Sequence, residues 1–433
     1  MDRKVDMLIT KIANHKTGLM SGAVIYLVTS LLNASIPFLL LPILTRHLNP
    51  DEYGQVAMFQ VLVNALSAIV GLNTVGAANR RFFDHDGKAG TPAFLGSCIT
   101  ILFWTFLFTL GISFIFSSIL SRFLSLPASW VMMAPVMSAT MFIVKLRLGQ
   151  WRVRQQPILF GTMQISMSLL NAFLSITFVV YLAWGAEGRM AGELTAAAAF
   201  SLVSLWLLRR DGLLRFTYSR AEIKEALSFG TPLIPHVLGG FLLFSADRLI
   251  INQELGLGSA GIYMVAVQIS MGVSICIDAI NKAYSPWLMG ELKKNDFNIN
   301  RKIVNYTYIY FAAAIIAAAM SFVVGPWLVE WVAGEKYIGA AKVVGFLLAG
   351  QCIKGMYYMI VNYILYARKT GHLSLLTTFS GGANIGLMLI LVPLYGLEGA
   401  GYAFVASSFI LFMGGWAVSA RAHPMPWFQL REA

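Results

Sequence analysis

The residues of this 433-residue sequence with chemical potential are the charges set inside otherwise apolar runs. Asp247 and Arg248 are adjacent, Asp278 and Lys282 stand four apart, and Lys354 has no acidic residue within one helical turn. In the first half only Lys145, Arg147 and Glu193 are so placed. A charge in hydrocarbon is expensive, so it faces a cavity, a partner or the interface. The chemistry open to this set is ionic recognition. Arg meets an anion bidentately and Lys as a point charge, while Asp247 and Asp278 are candidates to carry a coupling ion. Plainer readings stand beside these. Asp278 and Lys282 have the i,i+4 spacing of a helical ion pair, and Arg248 can snorkel or pair with Asp247. Lys354 is the hardest to explain as structure alone.

Other chemistry is not indicated. No G-x-x-x-x-G-K-[ST] occurs, since Asp86-Gly87-Lys88 and Arg368-Lys369-Thr370 lack the preceding glycines. The six histidines show no H-E-x-x-H, and no G-x-S-x-G follows a strand. Cys98, Cys276 and Cys352 are odd in number and form no C-x-x-C. No metal site, cofactor, disulfide or enzymatic activity is expected. If the protein moves a substrate, the energy comes from an ion gradient or from the substrate's own gradient.

The elements that hold these charges follow from composition. The chain is 58% hydrophobic and 12% charged, with mean hydropathy +0.70. Soluble domains average roughly 45–50% apolar and about 25% charged, so lipid must cover the excess. Runs of about 20 apolar residues place spans near 18–44, 54–77, 92–118, 129–149, 158–184, 188–209, 227–251, 258–284, 303–328, 340–366, 372–395 and 398–420. The fold class is therefore all-α and polytopic, with about twelve transmembrane helices. At ~1.5 Å per residue, Arg248 falls in the periplasmic part of span seven, Lys354 near the middle of span ten and Lys282 at the cytoplasmic end of span eight. Together they form a ladder of positive charge across the bilayer.

Loop charge alternates. Lys and Arg crowd 1–17, 80–88, 145–154, 209–224, 282–302, 368–369 and 421–431, whereas the other loops hold only Arg46, Arg122, Arg189, Lys336 and Lys342. The positive-inside rule puts the first set, and both ends, in the cytoplasm. The net charge of +12 is thus a topology signal, and no nucleic-acid partner is expected. Residues 1–17 lack the pattern of a cleavable signal. There Val5, Leu8, Ile9 and Ile12 lie opposite Arg3, Lys4 and Lys11, as in a short surface helix or a frayed tail.

Two six-span copies are visible. Leu48-Asn49-Pro50-Asp51-Glu52-Tyr53-Gly54 matches Leu255-Gly256-Leu257-Gly258-Ser259-Ala260-Gly261 in its leading Leu and its Gly six residues on. Trp184-Gly185-Ala186-Glu187-Gly188 matches Tyr395-Gly396-Leu397-Glu398-Gly399. Copies with an even number of spans are parallel, related by an axis along the membrane normal, and such repeats bind substrate between them near the midplane. The expected organisation is a cytoplasmic segment 1–17, an N-lobe 18–209, a cytoplasmic linker 210–225, a C-lobe 226–421 and a cytoplasmic tail 422–433.

These residues also carry a resemblance. Arg46-His47-Leu48-Asn49-Pro50-Asp51-Glu52-Tyr53-Gly54 is similar to the first periplasmic loop of the polysaccharide-export branch of the MOP superfamily, which includes the Wzx-type O-antigen flippases. Phe229-Gly230-Thr231-Pro232-Leu233-Ile234-Pro235, Asp247-Arg248 and Gly261-Ile262-Tyr263 resemble later motifs of that branch. Asn384, Pro393, Tyr395-Gly396 and Gly399-Ala400 resemble its penultimate span, with Met388 where a second Asn is usual. The resemblance implies a two-lobe, MATE-like flippase in the bacterial inner membrane. Its implied cargo is an undecaprenyl-pyrophosphate-linked oligosaccharide, the repeat unit of O-antigen or a related surface polysaccharide. Implied partners are membrane lipids, protons or sodium, a polysaccharide polymerase and a chain-length regulator. Lys354, Arg248, Lys282 and Arg147 would then escort the pyrophosphate, and Asp247 or Asp278 would couple the ion. Tyr306, Tyr308, Tyr310, Tyr357, Tyr358 and Tyr363 are candidates to stack on sugars or simply to pack helices. The alternative is a multidrug-type cation antiporter of the same superfamily, which should show unpaired acids in its cavity.

Reporter fusions after residues 88, 154, 215 and 296 and at the C-terminus are expected to report cytoplasm, and fusions near 51, 188 and 335 periplasm. A periplasmic signal at 215 would overturn the parallel two-times-six arrangement.

Overall fold

The computed structural model describes residues 19–84, 91–216, 219–294, 296–367 and 370–427, which are helical almost throughout and contain no strand. The surface helix expected within 1–17 lies outside the described residues. Fifteen α-helices follow in order. They are α1 Leu19–His47, α2 Pro50–Leu66, α3 Thr74–Asp84, α4 Thr91–Ile115, α5 Ser117–Leu124, α6 Ala128–Val153, α7 Pro157–Ile176 and α8 Gly185–Arg210. After them come α9 Arg220–Gly230, α10 Ile234–Leu255, α11 Leu257–Leu292, α12 Phe297–Ala333, α13 Ala341–Tyr366, α14 Thr370–Tyr395 and α15 Leu397–Ala422.

Ten of these, α1, α4, α6, α7, α8 and α11 to α15, are long and apolar enough to cross a membrane among the described residues. Large apolar side chains stand exposed along them, such as Phe103, Trp104, Phe108 and Phe114 on α4 and Ile309, Ile315, Ile316 and Val323 on α12. A surface of that kind needs lipid to cover it. The chain is a multi-pass α-helical membrane protein.

The second and seventh expected spans, α2 and α10, depart from unbroken helices. α2 stops at Leu66, and the backbone turns through Gly71, Leu72 and Asn73 at φ of 77°, 46° and 55° before α3 begins. Side chains hold this break: the Gly71 N–H donates to Thr105 Oγ1 at 2.9 Å, and Thr74 Oγ1 donates to the Gly71 carbonyl at 2.7 Å. The region of span seven is divided into α9, a 3-10 turn Thr231–Leu233 and α10. Pro232 and Pro235 fit this division, because proline lacks an N–H and is best accommodated in a first helical turn.

The chain forms two compact units, residues 1–48 with 55–241 and residues 49–54 with 242–433. In the first unit α6 packs on α3, α4 and α8, and α7 packs on α1 and α8. The stretch expected as a linker is built into this unit. The Arg215 N–H donates to the Pro92 carbonyl at 3.0 Å. Ser219 caps α9, which lies against α3 and α4. Ser97 Oγ donates to Glu222 at 3.1 Å, and Arg81 pairs with Glu225. In the second unit α13 is the central helix, packed on α11, α12 and α15.

The matched sequence turns share structure. Gly185 and Gly396 adopt φ of 57° and 61°, the left-handed region that glycine enters without strain. The other matched pair meets inside the second unit. A Cβ on Gly54 would strike the Leu257 carbonyl oxygen, and a Cβ on Gly261 would strike the Pro50 carbonyl oxygen. Pro50 and Leu257 occupy equivalent places in the repeat, so the contact is reciprocal, as across a two-fold axis. Asn49 and Glu52 fix this turn with a capping box of 2.8 and 2.9 Å. Tyr53 donates to Gln268 at 2.8 Å.

Gly54→Ala and Gly261→Ala are each expected to lower the melting temperature in detergent, because overpacking costs about 1–3 kcal/mol. Gly111, with nothing within 4 Å of its Cβ position, is the control. Gly111→Ala should leave stability unchanged or raise it by a few tenths of a kcal/mol to ~1 kcal/mol.

Candidate functional site

The structure sorts the in-span charges by partner. Arg147 is fully buried, pairs with Asp211 and lies 4.2 Å from the Trp151 ring centroid. It lines neither of the two main cavities. Its place is set by the loop after α8, which sequence spacing does not reveal. Arg189 pairs with Glu193 at 3.6 Å and donates to Asn171 and Ser175 at 2.6 and 2.7 Å. Asp278 and Lys282 form an i,i+4 pair at 2.6 Å, with both side chains about half exposed, and neither lines a main cavity. Arg248 is buried, with Nη1 3.8 Å from Asp247 and Nε donating to Met264 Sδ at 3.1 Å.

Lys354 differs. No acidic partner faces it among the described residues, and its ammonium lies 5.9 Å from the Phe404 ring centroid, within cation–π range. It lines a cavity of about 240 Å³ inside the second unit, together with Asp247, Arg248, Tyr263, Gln351 and Asn384. Five helices build this cavity. α10 supplies the Asp247-Arg248 pair, and α13 presents Leu347, Gln351 and Lys354 at helical spacing. α14 and α15 contribute a hydroxyl-rich wall. There Ser407 Oγ donates to Asn384 Oδ1 at 3.2 Å, and Ser380 Oγ donates to the Ser407 carbonyl at 2.7 Å. Met388, which stands where the resemblance leads one to expect Asn, is buried behind Asn384. The cavity thus brings together one acid and two bases, Asp247 against Arg248 and Lys354. Such a wall can hold an anion carrying hydroxyl groups.

A second cavity, of about 440 Å³, lies inside the first unit. One face of α6 lines it with Ser138, Phe142, Lys145, Gly149 and Arg152, at spacings of four, three, four and three residues. The α2–α3 break adds Ser67, Asn73 and Asn79, and α7 adds Gln164. Placing charges by depth alone misses this cavity. The signal in the sequence was the recurrence of Ser138, Lys145 and Arg152 seven residues apart, on one face of the span. The candidate tyrosines line neither cavity. Tyr357 and Tyr363 are buried in the second unit's core, and Tyr308 donates to the Trp427 carbonyl at 2.6 Å.

Comparison with known proteins agrees with this architecture. The family described as "Polysaccharide biosynthesis protein" matches residues 19–290. "Lsg locus putative protein 1" of Haemophilus influenzae is 25% identical over 364 residues, 80% of this chain and 84% of its own. Among solved structures, the inward-facing form of a multidrug resistance MATE family transporter of the MOP superfamily aligns at TM-score 0.70. It has 17% identity and covers 92% of this chain and 97% of its own. The lipid II flippase MurJ, inward closed, aligns at TM-score 0.69 with 12% identity, covering 94% and 86%. At these identities the two structures establish the fold.

The Arg147–Asp211 pair generates an asymmetric expectation. Asp211→Ala strands a buried guanidinium and should cost on the order of 1–3 kcal/mol, below the figure for a fully buried pair because Asp211 is 40% exposed. Arg147→Met removes the buried charge and should cost less. Thermal unfolding of the two variants checks the order, and a larger loss for Arg147→Met would refute it.

Proposed function

This chain belongs to the polysaccharide biosynthesis protein family, and from that premise we propose that it is a flippase for a lipid-linked oligosaccharide. Its cargo is an undecaprenyl-pyrophosphate-linked repeat unit of O-antigen or a related surface polysaccharide. It carries this from the cytoplasmic to the periplasmic leaflet of the bacterial inner membrane by alternating access, driven by a proton or sodium gradient. A polysaccharide polymerase and its chain-length regulator take the product.

The observation that carries this reading is Lys354 in its cavity. An ionised lysine deep in a span costs at least about 2.5–3.5 kcal/mol, and no ion pair among the described residues offsets that. Beside it Arg248 is already matched by Asp247, so the cavity carries one unmatched positive charge. A pyrophosphate crossing the bilayer supplies the missing anion, and the serine and asparagine wall suits sugar hydroxyls. The same balance disfavours a multidrug-type cation antiporter, because Asp247 is paired and lies beside two bases. Asp247 is the acid best placed to couple an ion, since it alone of the two candidates lines the cavity.

Lys354→Ala is expected to abolish surface-polysaccharide assembly at normal protein level. Lys354→Arg should retain part of it, because charge matters more than shape in a transient contact. Gel analysis of the surface polysaccharide in a deletion strain complemented with each variant checks this. Undiminished assembly with Lys354→Ala would refute the role.

A further inference from the structure

The first unit's cavity is absorbed by nothing above. Its volume of about 440 Å³ lies in the range of about 300–1,000 Å³ typical of small-molecule sites. Ser138 and Arg152 bound its α6 face. They are 14 residues apart, so the cavity runs about 21 Å along the helix, from mid-span to the end that the positive-inside rule assigns to the cytoplasm.

Its charge is one-sided. Lys145 and Arg152 line it, and no acid does among the described residues. Four acids of this unit are engaged elsewhere: Glu193 with Arg189, Asp211 with Arg147, Glu225 with Arg81, and Glu222 with Ser97. Arg152 lies 5.0 Å from the Phe160 ring centroid and has no ion-pair partner among the described residues. Lys145 has no ion-pair partner among the described residues. Other elements add the amides of Asn73, Asn79 and Gln164, and α6 itself adds the Ser138 hydroxyl.

The backbone points the same way. Irregular backbone at membrane depth is tolerated where it is buried in protein or lines a water-filled cavity. The break between α2 and α3 puts Asn73, Val75 and Gly76 on this cavity's wall. In membrane transporters, interrupted helices of this kind mark binding sites.

We propose that this cavity is the cytoplasmic-side receiving site for the cargo's headgroup, with Lys145 and Arg152 binding the pyrophosphate and the Asn73, Asn79 and Gln164 amides meeting the first sugar. This rests on the flippase reading and extends it.

The test is photolabelling of the full-length protein in nanodiscs with a benzophenone-tagged farnesyl pyrophosphate, and with the matching farnesol probe as the uncharged control. Labelled peptides are then mapped. The expected result is pyrophosphate-dependent labelling of the 67–79 and 138–152 segments. It should fall about tenfold or more in Lys145→Gln/Arg152→Gln, a loss typical of removing charge-assisted bonds. Gln164→Trp fills the cavity while keeping both charges. It should reduce labelling equally, which guards against a folding defect in the double variant. Pyrophosphate-dependent labelling confined to α13 and α14 would overturn this site and leave the flippase reading standing. Equal labelling by the farnesol probe at 67–79 and 138–152 would overturn it as well, since the site would then be merely apolar. Absence of pyrophosphate-dependent labelling anywhere in the chain would overturn both.

Discussion

A charge or an unbonded backbone group cannot be left facing hydrocarbon, and the structure is organised around that constraint. Each ionised side chain inside a span must find a counter-charge, a hydrogen-bonding cage or water. Arg189 finds all its partners locally, in Glu193, Asn171 and Ser175. Asp278 and Lys282 neutralise each other one turn apart. Arg147 reaches beyond its own helix to Asp211. With these charges satisfied, Lys145 and Lys354 stand out as bases that line cavities and have no ion-pair partner among the described residues. Both project from the most interior helix of their unit.

The same constraint governs the backbone. An α-helix satisfies its own peptide groups, so a break inside a span needs substitutes. Around Gly71 the substitutes are Thr105 and Thr74, and the freed chain lines the larger cavity. In the second unit the Asp247-Arg248 pair arrives on a helix that starts afresh at Ile234, with Pro235 in its first turn. Each unit thus combines an interrupted or restarted helix, a basic residue without an acidic partner and a polar wall. These are the parts from which a site for an anionic, hydroxylated ligand can be assembled.

Internal duplication links the parts. The turns at Gly185 and Gly396 share a left-handed backbone. The turns at Gly54 and Gly261 meet through reciprocal contacts with Leu257 and Pro50. These contacts bring backbone against backbone, where even a methyl group has no room. That explains why glycine stands at the same place in both copies.

The sequence by itself determined the class, the spans and the repeat. These depend on local quantities: the length of an apolar run against the thickness of a bilayer, and the alternation of loop charge. α6, α8 and α13 to α15 lie within a few residues of their expected bounds, α7 ends earlier, at Ile176, and α11 and α12 extend beyond theirs. Sequence also singled out Lys354, because the lack of a nearby acid is visible along the chain. What only the tertiary structure decided was which charges meet. Arg147 and Asp211 are 64 residues apart, and Arg248 and Lys354 share a cavity that five helices close. The cavity of the first unit stayed hidden for the same reason. Its polar groups lie on three helices and the turn between α2 and α3, each of them ordinary alone, and only packing turns the stripe on α6 toward the break after α2.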